Sequence, residues 1–303
     1  MPQTDTFSAF DALLSGDLLT DPWEHGPREP PRYAPNYRLL GELLSIPIAA
    51  LQVSETGRFA RAIDAWVAHE LRRAGFGSDE VWPRATRPRV LPRDIAVLLD
   101  KLPRALAKEV ERRLPNLAAV GPVDARVLGR AYEKQVDVCI ARWERGPELL
   151  ISTKAQVKSF GKNLPNRFEE AYGDAGNLRG RYPLAAVGFL FVQRASILTQ
   201  EPEAFERTID MMRKLRDTGD GNGYTATALI LAEWDDPPGS GTAVRIREHE
   251  VPDDVATPQF FSALVRQVLA AAPVVYHVAV REAFERRNIP IREENQDTTD
   301  LAS

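Results

Sequence analysis

Two stretches, "LAAVGFLFVQR" at 184–194 and "TATALILAEW" at 225–234, are apolar at almost every position. A strand with one wet face alternates apolar and polar residues. A strand apolar throughout needs cover on both faces, so a layer of helices must lie on each side of the sheet. The intervening sequence supplies candidates: a helix near 202–217, then a "TGDGNG" turn that returns the chain to the second strand. Upstream, "VDVCIARW" and "ELLISTKAQ" are β-rich and separated only by "ERGP", which predicts a hairpin. "NRFEEAYGDAGNLR" places Phe168, Ala171, Tyr172, Ala175 and Leu178 at i, i+3, i+4, i+7 spacing, which predicts a helix. "VDARVLGRAYEKQ" also reads as a helix, with Val123, Val127, Leu128 and Ala131 on one side. The order helix, strand, strand, helix, strand, helix, strand predicts an α/β fold, a mixed β-sheet sandwiched by helices. An edge strand at "AVRIREH" and two helices around 257–288 complete it, followed by a polar tail.

Residues 1–120 read differently. The five prolines between 20 and 36 predict an extended or irregular lead-in, with the globular chain starting at Tyr37. "TGRFARAIDAWVAHELRRAG" carries Phe59, Ile63, Trp66, Val67 and Leu71 on one helical face, with Thr56 as cap and Gly75 as stop. "RDIAVLLDKL" and "RALAKEVERRL" add two more helices. The chain therefore divides into a mainly helical region, 1–120, and an α/β region, 121–303.

At 303 residues the chain can bury a substantial core. No apolar run approaches the roughly 20 residues that span a bilayer. "MPQTDTFSAFDALLSGD" has no basic start and apolar block, and Cys139 is the one cysteine. Both point to a reducing cytoplasm. The net charge of −4 excludes a globally basic nucleic-acid coat. Between Val81 and Arg113, however, nine Lys/Arg face four acids, a local excess suited either to a phosphate backbone or to solvated helix faces.

The chemistry centres on two charges in apolar strands. Strand alternation puts Glu148, Leu150, Ser152, Lys154 and Gln156 on one face, and Leu149, Ile151, Thr153 and Ala155 on the other. Lys154 in a buried hairpin is costly unless paired, and so is Asp137 inside "VDVCI". A divalent cation, or each other's proximity, would offset both costs.

An aspartate at one strand, a lysine on the next and a helix after it resemble the PD-(D/E)XK nuclease superfamily, which includes most type II restriction endonucleases. The resemblance covers about residues 122–195. There, two carboxylates hold Mg²⁺, for which Mn²⁺ substitutes, and the lysine positions or activates the attacking water. Asp137 matches the first carboxylate, preceded by Val136 instead of proline, and Lys154 matches the lysine. Ser152 stands where the second carboxylate belongs. Glu148 cannot replace it, because six residues of strand put it roughly 20 Å from Lys154.

A branch of the restriction enzymes reads Ser–x–Lys on the strand and moves the carboxylate onto the following helix in an Arg–x–Glu element. "STK" at 152–154 and "RFE" at 167–169 resemble that variant, with twelve residues between Lys154 and Arg167. The resemblance selects Glu169 as the migrated carboxylate, although Glu170 lies on the opposite flank of the same helix and remains open. Ser152 would support the site through a water, and Glu133, on the preceding helix, would orient a ligand or pair at the surface.

The resemblance implies double-stranded DNA as partner, a homodimer to cut both strands, and a separately encoded cognate methyltransferase. Lys158, Lys162 and Asn163 stand just before the helix, whose N-terminus favours phosphate, and Gln156, Asn166 and Arg167 complete the expected DNA contacts. Arg179 and Arg181 add charge, whereas Phe160 and Tyr172 read as packing residues. The helical region 1–120 would grip DNA with its arginines. Two alternatives remain: a non-specific repair or effector nuclease, and a catalytically dead nuclease fold that only binds DNA. No phosphate loop and no zinc-like histidine spacing occur.

Overall fold

The protein is described by a computed structural model covering residues 5–17, 19–27, 29–52, 57–117, 120–122, 124–235 and 242–291. The first part of the chain forms α1 (Asp11–Gly16), β1 (Trp23–Glu24), β2 (Arg32–Tyr33), α2 (Tyr37–Ala49), α3 (Arg58–Arg73), β3 (Val81–Trp82), α4 (Arg93–Lys101) and α5 (Arg104–Arg113). The second forms β4 (Ala125–Leu128), β5 (Glu133–Val136), β6 (Val138–Arg142), β7 (Gly146–Gln156), α6 (Phe160–Arg179), β8 (Ala186–Arg194) and α7 (Ile197–Gln200). It continues through α8 (Pro202–Lys214), β9 (Ala226–Glu233), β10 (Arg245–Ile246), α9 (Thr257–Ala271) and α10 (Val278–Glu285).

Six strands make one mixed sheet in the order β10-β9-β8-β7-β6-β3. β7, β8 and β9 run parallel, while β6, β3 and β10 pair antiparallel to their neighbours. Both apolar runs are central strands, as their composition requires: β8 is buried along nearly its whole length, and β9 likewise. One face packs under α3 and α9, with Leu149 and Ile151 of β7 pointing into it. The other lies under α6 and α8, and receives Leu150, Phe189 and Leu229. Gly188 lets α9 approach, since a Cβ there would sit 2.9 Å from the Phe260 ring.

The five apolar residues expected on α3 are all buried, and Gly75 follows its end with φ +105°. The expected cap Thr56 lies outside the described residues. The described residues up to β3 share the core of the sheet, while Leu91, Ala96, Leu99 and Leu114 around α4 and α5 pack in a cluster of their own. Phe7, Phe10, Trp23 and Tyr33 are buried beside α3 and α9, so the packed chain begins well before Tyr37.

One helix expectation fails. "VDARVLGRAYEKQ" forms the β4–β5 hairpin, with Ala125 paired to Val136 and Leu128 to Glu133. The apolar spacing suited a helix, but tertiary bonds select the turn. Gly129 N–H donates to the Tyr132 carbonyl at 2.9 Å. The Asn177 side chain on α6 accepts from Ala131 and Tyr132 N–H at 2.8 and 3.2 Å, and donates to the Tyr132 carbonyl at 3.0 Å. Only glycine fits at 129, because a Cβ would overlap the Asn177 amide at 2.1 Å. Glu133 therefore sits on an exposed strand and pairs with Arg126 at 3.3 Å.

Candidate active site

β5 and β6 are nearly continuous, broken by a bend at Asp137. The bend opposes Thr153 of β7, whose backbone N–H donates to Asp137 Oδ2 at 2.8 Å. Thr153 points to the α3 face, where its hydroxyl donates to Asp64 Oδ1 at 2.6 Å. One threonine thus joins two aspartates from distant segments. Asp64 also meets Arg61 at 3.5 Å, and Arg61 reaches Asp124 at the base of the hairpin at 2.5 Å. Sequence reasoning missed Asp64, which sits among the apolar positions of α3. The one available signal was an acid at a position buried by the helix period.

Burial and the neighbouring Asp137 carboxylate push Asp64 well above the ordinary carboxylate range, against the Thr153 hydroxyl and Arg61. Burial also raises Asp137, against the Thr153 amide and the charge of Lys154. Arg61 lies among three acids, Asp64, Asp124 and Asp137, and against the opposing effect of burial their charges raise its pKa.

On the opposite face, Lys154 Nζ contacts Glu170 Oε1 at 2.7 Å, and Arg167 contacts the other oxygen at 3.3 Å. Partial burial disfavours the Glu170 charge, yet Lys154 holds its carboxyl below the usual range. Of the two glutamates, Glu170 is the one that reaches Lys154. Glu169 is exposed and engages no side-chain partner among the described residues. The reason is helix phase. Glu170, Asp174 and Asn177 form an i, i+4, i+7 stripe. Asp174 takes Lys134 and Tyr132, and Asn177 takes the hairpin tip. That stripe faces the strands and carries Glu170 to Lys154, whereas Glu169 is rotated about 100° away.

Ser152 is buried beside them and its hydroxyl has no partner among the described residues. Asp137 Oδ1 has no hydrogen-bond partner among the described residues, and the residue is half-buried. Among the described residues no group of three or more His, Cys, Asp or Glu side chains is arranged to hold a metal ion. Mg²⁺ does not demand one, since it is commonly bound by one or two carboxylates, waters and substrate phosphate. Asp137, Glu170 and Ser152 carry the oxygen donors such a site would use, and the charge of Lys154 acts on both Asp137 and Glu170.

Several expected DNA contacts change. Gln156 is buried, donates to the Ser159 and Phe160 carbonyls at 3.0 Å each, and accepts from Gln193 at 3.1 Å, so it is structural. α6 starts at Phe160, which places Lys162 and Asn163 inside its first turns. Its N-terminus is already occupied: Phe160 and Gly161 N–H donate to Glu201 at 3.0 and 2.7 Å, leaving no phosphate seat there. Tyr172 is 62% exposed and stacked on Phe168, not buried as packing. Lys158, Lys162, Asn163, Asn166 and Arg167 are exposed. Six of the nine basic residues between 81 and 113 pair with Asp5, Asp11, Asp79, Glu80 or Glu109, so most of that local excess is neutralised internally.

A scan against protein-family models gives no match, and neither do searches of curated proteins and of solved structures. Among the described residues no helix is long and apolar enough to cross a membrane.

Proposed function

We propose that the chain is a divalent-metal-dependent endonuclease that hydrolyses phosphodiester bonds of double-stranded DNA, on a restriction-endonuclease-like core of the PD-(D/E)XK type. The observation that carries this is a strand lysine, Lys154, paired with a helix carboxylate, Glu170, beside the half-buried Asp137. Glu170 takes the role of the carboxylate missing at Ser152. Asp137 and Glu170 would hold Mg²⁺, or Mn²⁺ in its place, and the ion would supply an activated water and charge neutralisation on phosphate. The Thr153 amide fixes the orientation of Asp137. Lys154 donates a hydrogen bond and positive charge to the reacting phosphate as negative charge grows there. Restriction of foreign DNA, as a homodimer with a separate methyltransferase, is the biological setting this chemistry fits.

Nicking of supercoiled plasmid tests the reading, with Mg²⁺, Mn²⁺ or chelator, and with wild type beside Lys154→Ala and Glu170→Gln. Metal-dependent nicking that both substitutions abolish is expected. Discrete bands favour a restriction enzyme, and a smear favours a non-specific nuclease. A wild-type protein that retards plasmid on a gel but never nicks it would leave only a DNA-binding fold.

A further inference from the structure

We propose that the open flank of α6 is a track for one phosphate backbone of a DNA duplex, anchored by Lys162 at one end and Arg130 at the other. This rests on the nuclease reading and names how its substrate lies. At about 100° per residue, Asn163 and Asn166 fall within about 40° of Glu170, while Lys162 and Gly180 lie about 80° from it on the side of Glu169. A polymer following that flank therefore passes over Glu169 and along the edge of the Lys154–Glu170 pair. Lys162 marks the N-terminal end, and Lys158 precedes it in the connection from β7. Arg207 of α8 stands beside it, with Nη2 3.4 Å from where a Cβ on Gly161 would be. At the other end the hairpin tip is fastened to α6 by the Arg130 N–H, which donates to the Asn177 carbonyl at 2.8 Å. The Arg130 stem lies across the last turn of α6, with Cδ 2.9 Å from a Cβ position on Gly180.

The side chains of Lys158, Lys162, Arg207 and Arg130 are exposed and have no acidic partner among the described residues. This sets them apart from the arginines of the α4–α5 region, most of which are internally paired. Free cations at both ends of one flank, with the candidate site between, match a line of phosphates. From position 162 to 180 the helix rises about 27 Å, the axial length of about eight base-pair steps at 3.4 Å each. A duplex holds that spacing rigidly. Glu169, unpaired among the described residues, and Glu170, held by Lys154 and Arg167, lie midway, and their charge disfavours phosphate unless a further cation joins them. Tight binding is therefore tied to the divalent ion.

The test uses full-length protein carrying Lys154→Ala, which keeps the carboxylates, and measures fluorescence anisotropy of a labelled duplex across a salt series. With Mg²⁺ present, adding Arg130→Ala or Lys162→Ala should each reduce the slope of log K against log salt by about 0.9, and both together by about 1.8. Arg104→Ala on α5 should leave the slope unchanged. Affinity should step upward as the duplex lengthens from about six to about ten base pairs, because the second anchor then engages, and Arg130→Ala should remove the step. Unchanged slopes in both anchor variants, with wild type still cutting DNA, overturn the track and leave the nuclease reading standing. Wild-type protein that neither binds nor cuts duplex overturns both.

Discussion

Helix α3 buries two acids six residues apart and treats them in opposite ways. Glu70 is closed in: it accepts from the Tyr33 hydroxyl at 2.9 Å and the Asn36 N–H at 3.2 Å, and pairs with Arg73 at 2.7 Å. Its donors belong to it. Asp64 instead has one hydroxyl, a longer contact to Arg61, and the Asp137 carboxylate as a neighbour. A buried charge with its own partners explains itself as architecture. A buried acid pushed up by burial and by a second carboxylate is instead the kind of perturbed group that clusters at functional sites.

The sharpest way to break this comparison is to open the closed network. Arg73→Met leaves Glu70 buried with no cation, and should cost about 3 to 5 kcal/mol at pH 8, read as a lowered urea midpoint. Cleavage by the surviving folded protein should persist. At the open cluster the effects should invert. Asp137→Ala should lower metal-dependent cleavage by about 10²- to 10³-fold while the urea midpoint holds or rises, because an acid raised by burial is removed. If Asp137→Ala proves strongly destabilising and Arg73→Met abolishes cleavage in folded protein, the two acids have been assigned the wrong way round.

The pH dependence of stability gives the next largest effect. Burial pushes Glu70 up to about 7, from 4.5 for an unperturbed side chain, against the pull of Arg73 and its hydrogen bonds. Between those values the folded state holds a proton that the unfolded chain has released. Unfolding free energy should therefore fall as pH rises from 4.5 to 7, by about 3 kcal/mol from this group alone, and level off above. Glu70→Gln cannot titrate, so its difference from wild type should trace that slope in denaturant titrations at a series of pH values. A difference that is flat with pH would mean that Glu70 is as well solvated as a surface acid.

The layers were legible in the sequence because burial on both faces leaves a pattern that no other arrangement produces. The runs at 184–194 and 225–234 became β8 and β9, with α8 between them. Periodicity likewise located α3 and the body of α6. What it could not carry were choices made by distant partners. The β4–β5 hairpin depends on Asn177, 48 positions beyond Gly129, and a helix-like apolar spacing conceals it. Asp64 joins the site only because Thr153 lies across the core from α3. Gln156 looked free because its partners, Gln193 and two backbone carbonyls, are fixed by the parallel register of β7 and β8. Asp137 and Lys154 stood out because a charge among apolar strand residues is anomalous, although Asp137 lies at the bend between β5 and β6 and not inside a strand.

The smallest expected effect concerns adjacent glutamates on one helix. Glu169 and Glu170 share charge and chain length and lie one residue apart along the helix axis, so substituting either removes nearly the same long-range potential. They differ in contact. Glu170 touches Lys154, while Glu169 points about 100° away into solvent. Glu169→Gln should then change cleavage by less than about fivefold, the scale of an exposed charge worth under about 1 kcal/mol. Glu170→Gln should fall toward the level of Lys154→Ala. Combining Glu170→Gln with Lys154→Ala should cost much less than the product of the single losses, because each substitution already breaks the same pair. Full additivity would mean that the two side chains act on the phosphate independently, and that their 2.7 Å contact has no bearing on the chemistry.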